Sequence, residues 1–277
     1  MKLTRQKISF SNLWLYGLVG LGALFILLYS VSSGFYHQRL AYQAWVMACQ
    51  EEEFQNRVWA HRVNSIGKAK EAAGIYRGIE IDVWLTASYH FDVNHSRGES
   101  VGLSLAALLT ELDEPHRLSY WLDFKNLTRT NLPASITRLQ ILCKRFGIAK
   151  QSVIVESKSH ELLRYFSKRG FRTSYYLPTS LLSVVRQKGI GDLSAMEENR
   201  LKQLENTIRT GRFDYVSTGS GYQPALEEVI DVKKEILLWT TELKQHSFFD
   251  RRKIRSILSQ DSRVKVLLTK FSSKFDR

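Results

Sequence analysis

Beyond residue 56 the chain alternates two hydrophobic rhythms. Short runs rich in β-branched and aromatic residues recur: Val58–Arg62, Gly78–Leu85, Ser119–Lys125, Ser152–Glu156, Arg172–Tyr176, Tyr215–Thr218, Ile236–Thr241 and Val264–Thr269. Their length and residue types are those of buried strands, whose side chains alternate between two faces. Between most of them, apolar positions fall three and four apart, as in Leu103–Leu112, Ala134–Phe146, His160–Lys168 and Ala225–Val229. That spacing builds one face of a helix. Eight strands separated by helices predict a parallel (β/α)₈ barrel of the TIM type, not an open doubly wound sheet.

The N-terminal pattern is different. Leu13–Val31 reads LWLYGLVGLGALFILLYSV and contains no charge. A helix rising about 1.5 Å per residue over that length spans a hydrocarbon core of roughly 30 Å. Trp14, Tyr16 and Tyr29 lie near its ends, where amphipathic rings favour the interface, and Lys2, Arg5 and Lys7 precede it. The expected organisation is a cytoplasmic tail (1–10), a transmembrane helix (11–33), a polar stalk helix (34–56) and the barrel (57–277). By the positive-inside rule the barrel is expected outside the cytoplasm, periplasmic or extracellular. A cleaved signal peptide, with Ser32, Ser33 and Gly34 near the cut, places it on the same side. The apolar run is longer than the usual signal core of about 7–15 residues.

Hydrophobic residues make up 44% of the 277 and charged residues 24%, the mix of a folded globular chain. A net charge of +13 favours anionic partners such as phospholipid headgroups or phosphorylated small molecules. The tightest basic cluster, Arg251, Arg252, Lys253 and Arg255, reads as a solvated helix face. There is no ribonucleoprotein motif, helix-turn-helix signal or zinc-finger spacing, so nucleic acid is not the expected partner. Cys49 and Cys143 lie too far apart in sequence for a metal or redox motif, and a disulfide between them stays open.

In such barrels chemistry gathers where strands end and βα loops begin. Glu80 and Asp82 are two apart on one strand, as are Asp123 and Lys125 on the next, so each pair shares a face. Ile79, Ile81 and Val83 form the other face of the first pair's strand, which packs outward and turns the acids inward. Enclosed carboxylates repel one another and lose hydration, and a divalent cation removes both penalties. Oxygen donors suit Mg²⁺ or Ca²⁺. Arg62 and Lys125 supply positive charge for a phosphate, and His61 and His95 are placed to act as general base and acid. The alternating piece Tyr89–His95 would deliver His95 to the mouth. Glu156 is a further candidate ligand or a partner for Lys125, while Tyr175, Tyr176 and Trp239 are candidate pocket walls.

These residues resemble the phospholipase-C-like phosphodiesterase superfamily, and within it the glycerophosphodiester phosphodiesterases. Ala60-His61-Arg62, Glu80-Ile81-Asp82, His95, Asp123-Phe124-Lys125 and Leu238-Trp239-Thr240 are similar to that family's motifs in barrel order. The resemblance covers roughly residues 57 to 270. It implies a metal held by Glu80, Asp82 and Asp123, an acid–base pair in His61 and His95, and phosphate contacts from Arg62 and Lys125. Val63 replaces the family's glycine, Ser96 its aspartate and Asp123 its glutamate, and the small inserted subdomain after His95 is missing. Trp59-Ala60-His61, Val63-Asn64-Ser65 and Leu122-Asp123-Phe124-Lys125 also resemble the menorin family, a divergent branch of the same barrels. The expectation is a membrane-anchored, metal-dependent phosphodiesterase acting on a glycerophosphodiester or related lipid-derived diester. The alternative is a catalytically inactive barrel that binds an envelope partner.

Overall fold

The computed structural model describes residues 56–96, 98, 100–229, 234–244 and 248–273. The expected tail, transmembrane helix and nearly all of the stalk, with Cys49, lie outside them. Among the described residues no helix is long and apolar enough to cross a membrane.

Among the described residues nine strands form one sheet: β1 (Val58–His61), β2 (Gly78–Leu85), β3 (Phe91–Val93), β4 (Ser119–Phe124), β5 (Val153–Ser157), β6 (Arg172–Tyr176), β7 (Tyr215–Gly219), β8 (Glu235–Lys244) and β9 (Val264–Lys270). All but β3 run parallel, and β1 pairs with both β9 and β2, which closes the barrel. The short β3 pairs antiparallel with β2, opposing Val93 to Val83 and Phe91 to Leu85. The eight expected strands are therefore the eight of the barrel, and the Tyr89–His95 piece supplies the ninth.

Closure divides the apolar side chains into two sets, because successive residues of a strand face opposite ways. Trp59, Trp121, Ile154, Leu237, Val266 and Leu268 form a plug inside the barrel. The neighbouring positions, Ala60, Ile79, Ile81, Val83, Leu122, Val155 and Leu238 among them, pack outward against the helices in a second and larger core. Burying one large apolar side chain contributes roughly 1.5–3 kcal/mol, so this outer layer is the main stabilising surface. Gly78 is needed for the plug: a Cβ there would lie 2.1 Å from the Trp59 ring.

The covering helices are α1 (Ile66–Ala73), α2 (Leu105–Thr110), α3 (Leu132–Phe146), α4 (His160–Ser167), α5 (Thr179–Lys188), α6 (Ala195–Thr210), α7 (Gln223–Val229) and α8 (Phe248–Gln260). Ser65 and Ser104 cap α1 and α2 by accepting backbone N–H groups, and Ser194 with Glu197 forms a capping box on α6. The basic cluster lies on α8, where Arg252, Lys253 and Arg255 are exposed.

Most strands end a residue or more away from expectation, and two of the differences have a physical reason that bears on the site. β1 stops at His61 because Arg62 turns into the left-handed region, φ 53°. β8 continues to Lys244 through a register shift after Trp239, so Trp239 and Thr240 sit in mid-strand instead of near its end.

Candidate active site

The carboxyl ends of β1, β2, β4 and β5 bring the sequence-predicted residues to one mouth. Inward-facing Glu80, Asp82 and Asp123 each offer an oxygen, and these oxygens lie within 4.8 Å of one another. A cavity of about 70 Å³ above the apolar plug is walled by them and by His61, Arg62, His95, Lys125, Glu156, Tyr176 and Trp239.

Each side chain is held by its neighbours. The backbone N–H of Arg62 donates to Glu80 Oε2 at 2.6 Å, which ties the left-handed turn to the second strand. A non-glycine residue in that conformation costs on the order of 1 kcal/mol, and here it swings the guanidinium over the cavity. Asn64 clamps Asp82 twice, its amide donating to Oδ2 at 2.6 Å while its carbonyl accepts the Asp82 N–H at 3.0 Å. Lys125 Nζ donates to Asp82 Oδ1 at 2.6 Å and also ion-pairs with Asp123.

Both imidazoles have assignable hydrogens. A carbonyl only accepts, so the 3.3 Å contact from His61 Nδ1 to the Thr240 oxygen places the proton on Nδ1. Nε2 is left with its lone pair, 3.8 Å from Glu80 Oε2. His95 Nδ1 donates to Asp82 Oδ1 at 3.2 Å, and its Nε2 accepts from Arg62 Nη2 at 3.3 Å. His61 is 11% exposed and His95 42%, so one is enclosed and the other opens to solvent.

Crowding perturbs the enclosed groups of the cavity. Burial, then Arg62, lowers the His61 imidazole to about 4, against a weaker opposing pull from Thr240. Burial and the charges of Asp82 and Asp123 push the Glu80 carboxyl well above the usual range. Burial also raises Asp123, since Lys125 only partly offsets it and Asp82 adds to it. Burial would raise Asp82 too, but Lys125, Asn64 and His95 outweigh it and hold its carboxyl below the ordinary value. Lys125 is raised because Asp123 and Asp82 outweigh its own burial. Three acids facing one lysine make a pocket short of positive charge. The oxygen-only donor set fits a hard divalent cation.

Glu156 lies beside this group, registered opposite Asp123 across β4 and β5. It is 2% exposed, its Oε2 has no hydrogen-bond partner, and burial with the Asp123 charge pushes its carboxyl well up. It is not an ion-pair partner of Lys125, whose partners are Asp82 and Asp123. The Trp239 indole lies 6.2 Å from the His61 ring, and its N–H is unpartnered at the cavity wall.

No family model matches the chain, and no curated protein matches it. Solved structures do. A protein of Silicibacter pomeroyi named as a glycerophosphoryl diester phosphodiesterase matches with a TM-score of 0.50 at 14% identity, over 77% of this chain and 89% of its own. A glycerophosphodiester phosphodiesterase by name from Galdieria sulphuraria gives 0.50 at 14%, over 77% and 93%. One from Agrobacterium tumefaciens gives 0.50 at 12%, over 78% and 93%.

The chain shares its fold with the glycerophosphodiester phosphodiesterases. Within that fold, one site residue, Asn64, escapes the assignment of roles from sequence, and one expected wall is misplaced. Asn64 carries no charge and lies past the strand, though its place three residues after His61 is a signal that a cluster search could use. Tyr176 reaches the cavity, whereas Tyr175, also expected as a wall, does not. Adjacent strand residues face opposite ways, and Tyr175 packs outward against Phe213 and His160 at 5.4 and 4.9 Å between rings. A larger open groove of about 1110 Å³, lined by Lys70, Tyr76, Arg77, Leu112 and Arg117, lies at the αβ-loop end and contains none of the candidate groups. Cys143 is buried and free.

Proposed function

We propose that this protein hydrolyses or otherwise cleaves a phosphodiester, with a divalent cation held by Glu80, Asp82 and Asp123. The observation that carries the reading is the convergence of those carboxylates, within 4.8 Å, beneath Lys125 and two imidazoles. The bound cation would neutralise the crowded acids and polarise the phosphoryl group. Arg62 and Lys125 bind phosphate oxygens by charge-assisted hydrogen bonds. His61, neutral and with Nε2 bare, takes the proton from the attacking hydroxyl or water. His95, oriented by Asp82 and open to solvent, would take up a proton from solvent at Nε2 and give it to the leaving alcohol. The Trp239 N–H is a donor for a substrate oxygen. The shared fold supports a glycerophosphodiester or related small diester as the substrate class.

The test uses the full-length chain in mild detergent, with bis-p-nitrophenyl phosphate and glycerophosphodiesters, under Mg²⁺, Ca²⁺ or EDTA. Cleavage that requires cation and is lost in His61→Ala is expected. Turnover that survives both chelation and His61→Ala overturns the mechanism. We propose further that Leu13–Val31 anchors the chain with the barrel outside the cytoplasm. Retention in membranes after alkaline extraction, with the barrel open to protease from the non-cytoplasmic side, is the expected result, and release or protection overturns it.

A further inference from the structure

The rim of the barrel next to the cavity holds two cations over two aromatic rings. Tyr176 ends β6 and lines the cavity wall. Lys158, the residue after β5, lies with Nζ 5.2 Å from the centre of that ring. In the next sector, Gly219 at the end of β7 packs against the cavity-lining Trp239 ring, and the turn that follows presents Tyr222. Arg186 of α5 lies 4.9 Å from the Tyr222 ring centre, and its guanidinium donates to the Gly221 oxygen at 3.3 Å. The two pairs sit on adjacent strands, since Tyr176 is registered opposite Ser217 across β6 and β7 and Tyr222 follows the end of β7.

Both cations are exposed, and neither has a carboxylate partner among the described residues. Some exposed cations of the molecule are neutralised by a carboxylate, as Lys70 is by Glu111, Lys188 by Glu197 and Lys265 by Glu235, and these two are not. Seating on a ring fixes the direction of the charge and leaves its outer donors free. From the cavity, the side over β5, β6 and β7 passes Tyr176 and then these two cations with their aromatic faces.

We propose that Lys158 and Arg186, over Tyr176 and Tyr222, form a subsite for a second anionic group, a phosphate or carboxylate, on the alcohol beyond the scissile phosphate. This rests on the phosphodiesterase reading of the neighbouring cavity and names the substrate class it prefers. The preferred diester carries two separated anions, one at the cavity and one at the rim.

The experiment compares glycerophosphoglycerol with the same molecule bearing a terminal phosphate, which differ by one anion. Each is offered as the soluble deacylated diester and as the diacyl lipid in phosphatidylcholine vesicles, which separates a soluble from a membrane-held source. The full-length wild type is expected to prefer the phosphate-bearing member in at least one arm. Lys158→Ala or Arg186→Ala should each lower that preference, read as the ratio of kcat/KM values, by about fivefold, and the double variant by about twentyfold. A wild type with no preference in either arm, or a ratio that the double variant leaves within about twofold, overturns the subsite while cleavage itself stands. If neither diester is cleaved, the phosphodiesterase reading fails, and calorimetric binding decides the subsite separately. Tighter binding of the phosphate-bearing diester that the double variant loses upholds it, and equal binding overturns it.

Discussion

Replacing Glu80 with glutamine tests the claim that the acids are crowded for a cation. Glu80 is 2% exposed and faces Asp82 and Asp123 with ligand oxygens within 4.8 Å. At an effective dielectric of about 20, two like charges at that spacing repel by about 3 kcal/mol. Lys125 cancels roughly one such repulsion, which leaves Glu80 with about one uncompensated. Glutamine keeps the shape, and its carbonyl still accepts the Arg62 N–H now bonded at 2.6 Å. In EDTA near neutral pH the variant should therefore be more stable than wild type by about 1–3 kcal/mol. Because burial and its neighbours raise the folded carboxyl above its ordinary 4.5, the native state holds this proton more tightly than the unfolded chain. The wild type consequently loses stability from this group as pH rises past 4.5 and through the raised value, and the variant does not. Excess Mg²⁺ or Ca²⁺ should reverse the order. The wild type gains about 2.7 kcal/mol at a hundredfold excess over its dissociation constant, and the variant gains little. Urea unfolding followed by tryptophan fluorescence, with and without chelator at several pH values, measures every term. A glutamine variant less stable than wild type in EDTA, or an equal gain from cation in both proteins, would refute the reasoning.

Four other outcomes follow from single residues. His61→Ala should lower kcat by about 10²–10⁴ in a steady-state assay, with the helical circular dichroism unchanged. Because the His61 imidazole is lowered to about 4, the acid limb of kcat/KM should fall there and not at the usual 6.5; stability should drop as pH falls from 6.5 towards 4, since the unfolded imidazole binds the proton first, by up to about 3 kcal/mol, and His61→Phe should flatten that slope in denaturation curves. Asn64→Ala removes both clamps on Asp82 and should weaken cation binding about 10- to 100-fold by titration calorimetry, through orientation rather than ligation. Gly78→Ala puts a methyl 2.1 Å from the Trp59 ring and should cost about 1–3 kcal/mol of stability in urea titrations, by overpacking the plug.

The barrel was legible because its strands obey a local rule. In Gly78–Leu85 the apolar residues Ile79, Ile81 and Val83 occupy alternate positions, and the side that the helices cover follows from that pattern alone. The acids needed one more step, that a closed barrel gives its inner face no solvent. That step placed Glu80 and Asp82 together, and the parallel register then set Asp123 beside Asp82. Asn64, and the choice between Tyr175 and Tyr176, needed more. Asn64 reaches Asp82 only because the left-handed turn at Arg62 redirects the chain, and a positive φ at an arginine carries no sequence signal. Tyr175 and Tyr176 are alike in type, and the strand's parity alone separates wall from packing. The ends of β1 and β8 were misjudged for a related reason, because a turn and a register shift depend on partners far away in sequence.

In the proposed mechanism the two histidines would divide their work according to how the fold carries them. His61 is a barrel residue, fixed by the carbonyl of mid-strand Thr240 and shut away with its proton affinity depressed. Its protonation state is set by the scaffold and stays neutral through the physiological range, as a base requires. His95 rides on the far side of a hairpin, two residues beyond β3, and Gly98 and Gly102 follow it with φ of 100° and 73°. Its ring is tied to the wall by the bond to Asp82, which also holds Lys125, and by the contact from Arg62. A proton donor must be recharged from solvent after each turnover, and an imidazole 42% exposed on a hairpin meets that need while a buried one does not. Asp82 is thus where both requirements meet. Because it orients the movable imidazole as well as facing the cation site, its loss would strike binding and proton return together, whereas the loss of Asp123 would strike binding alone.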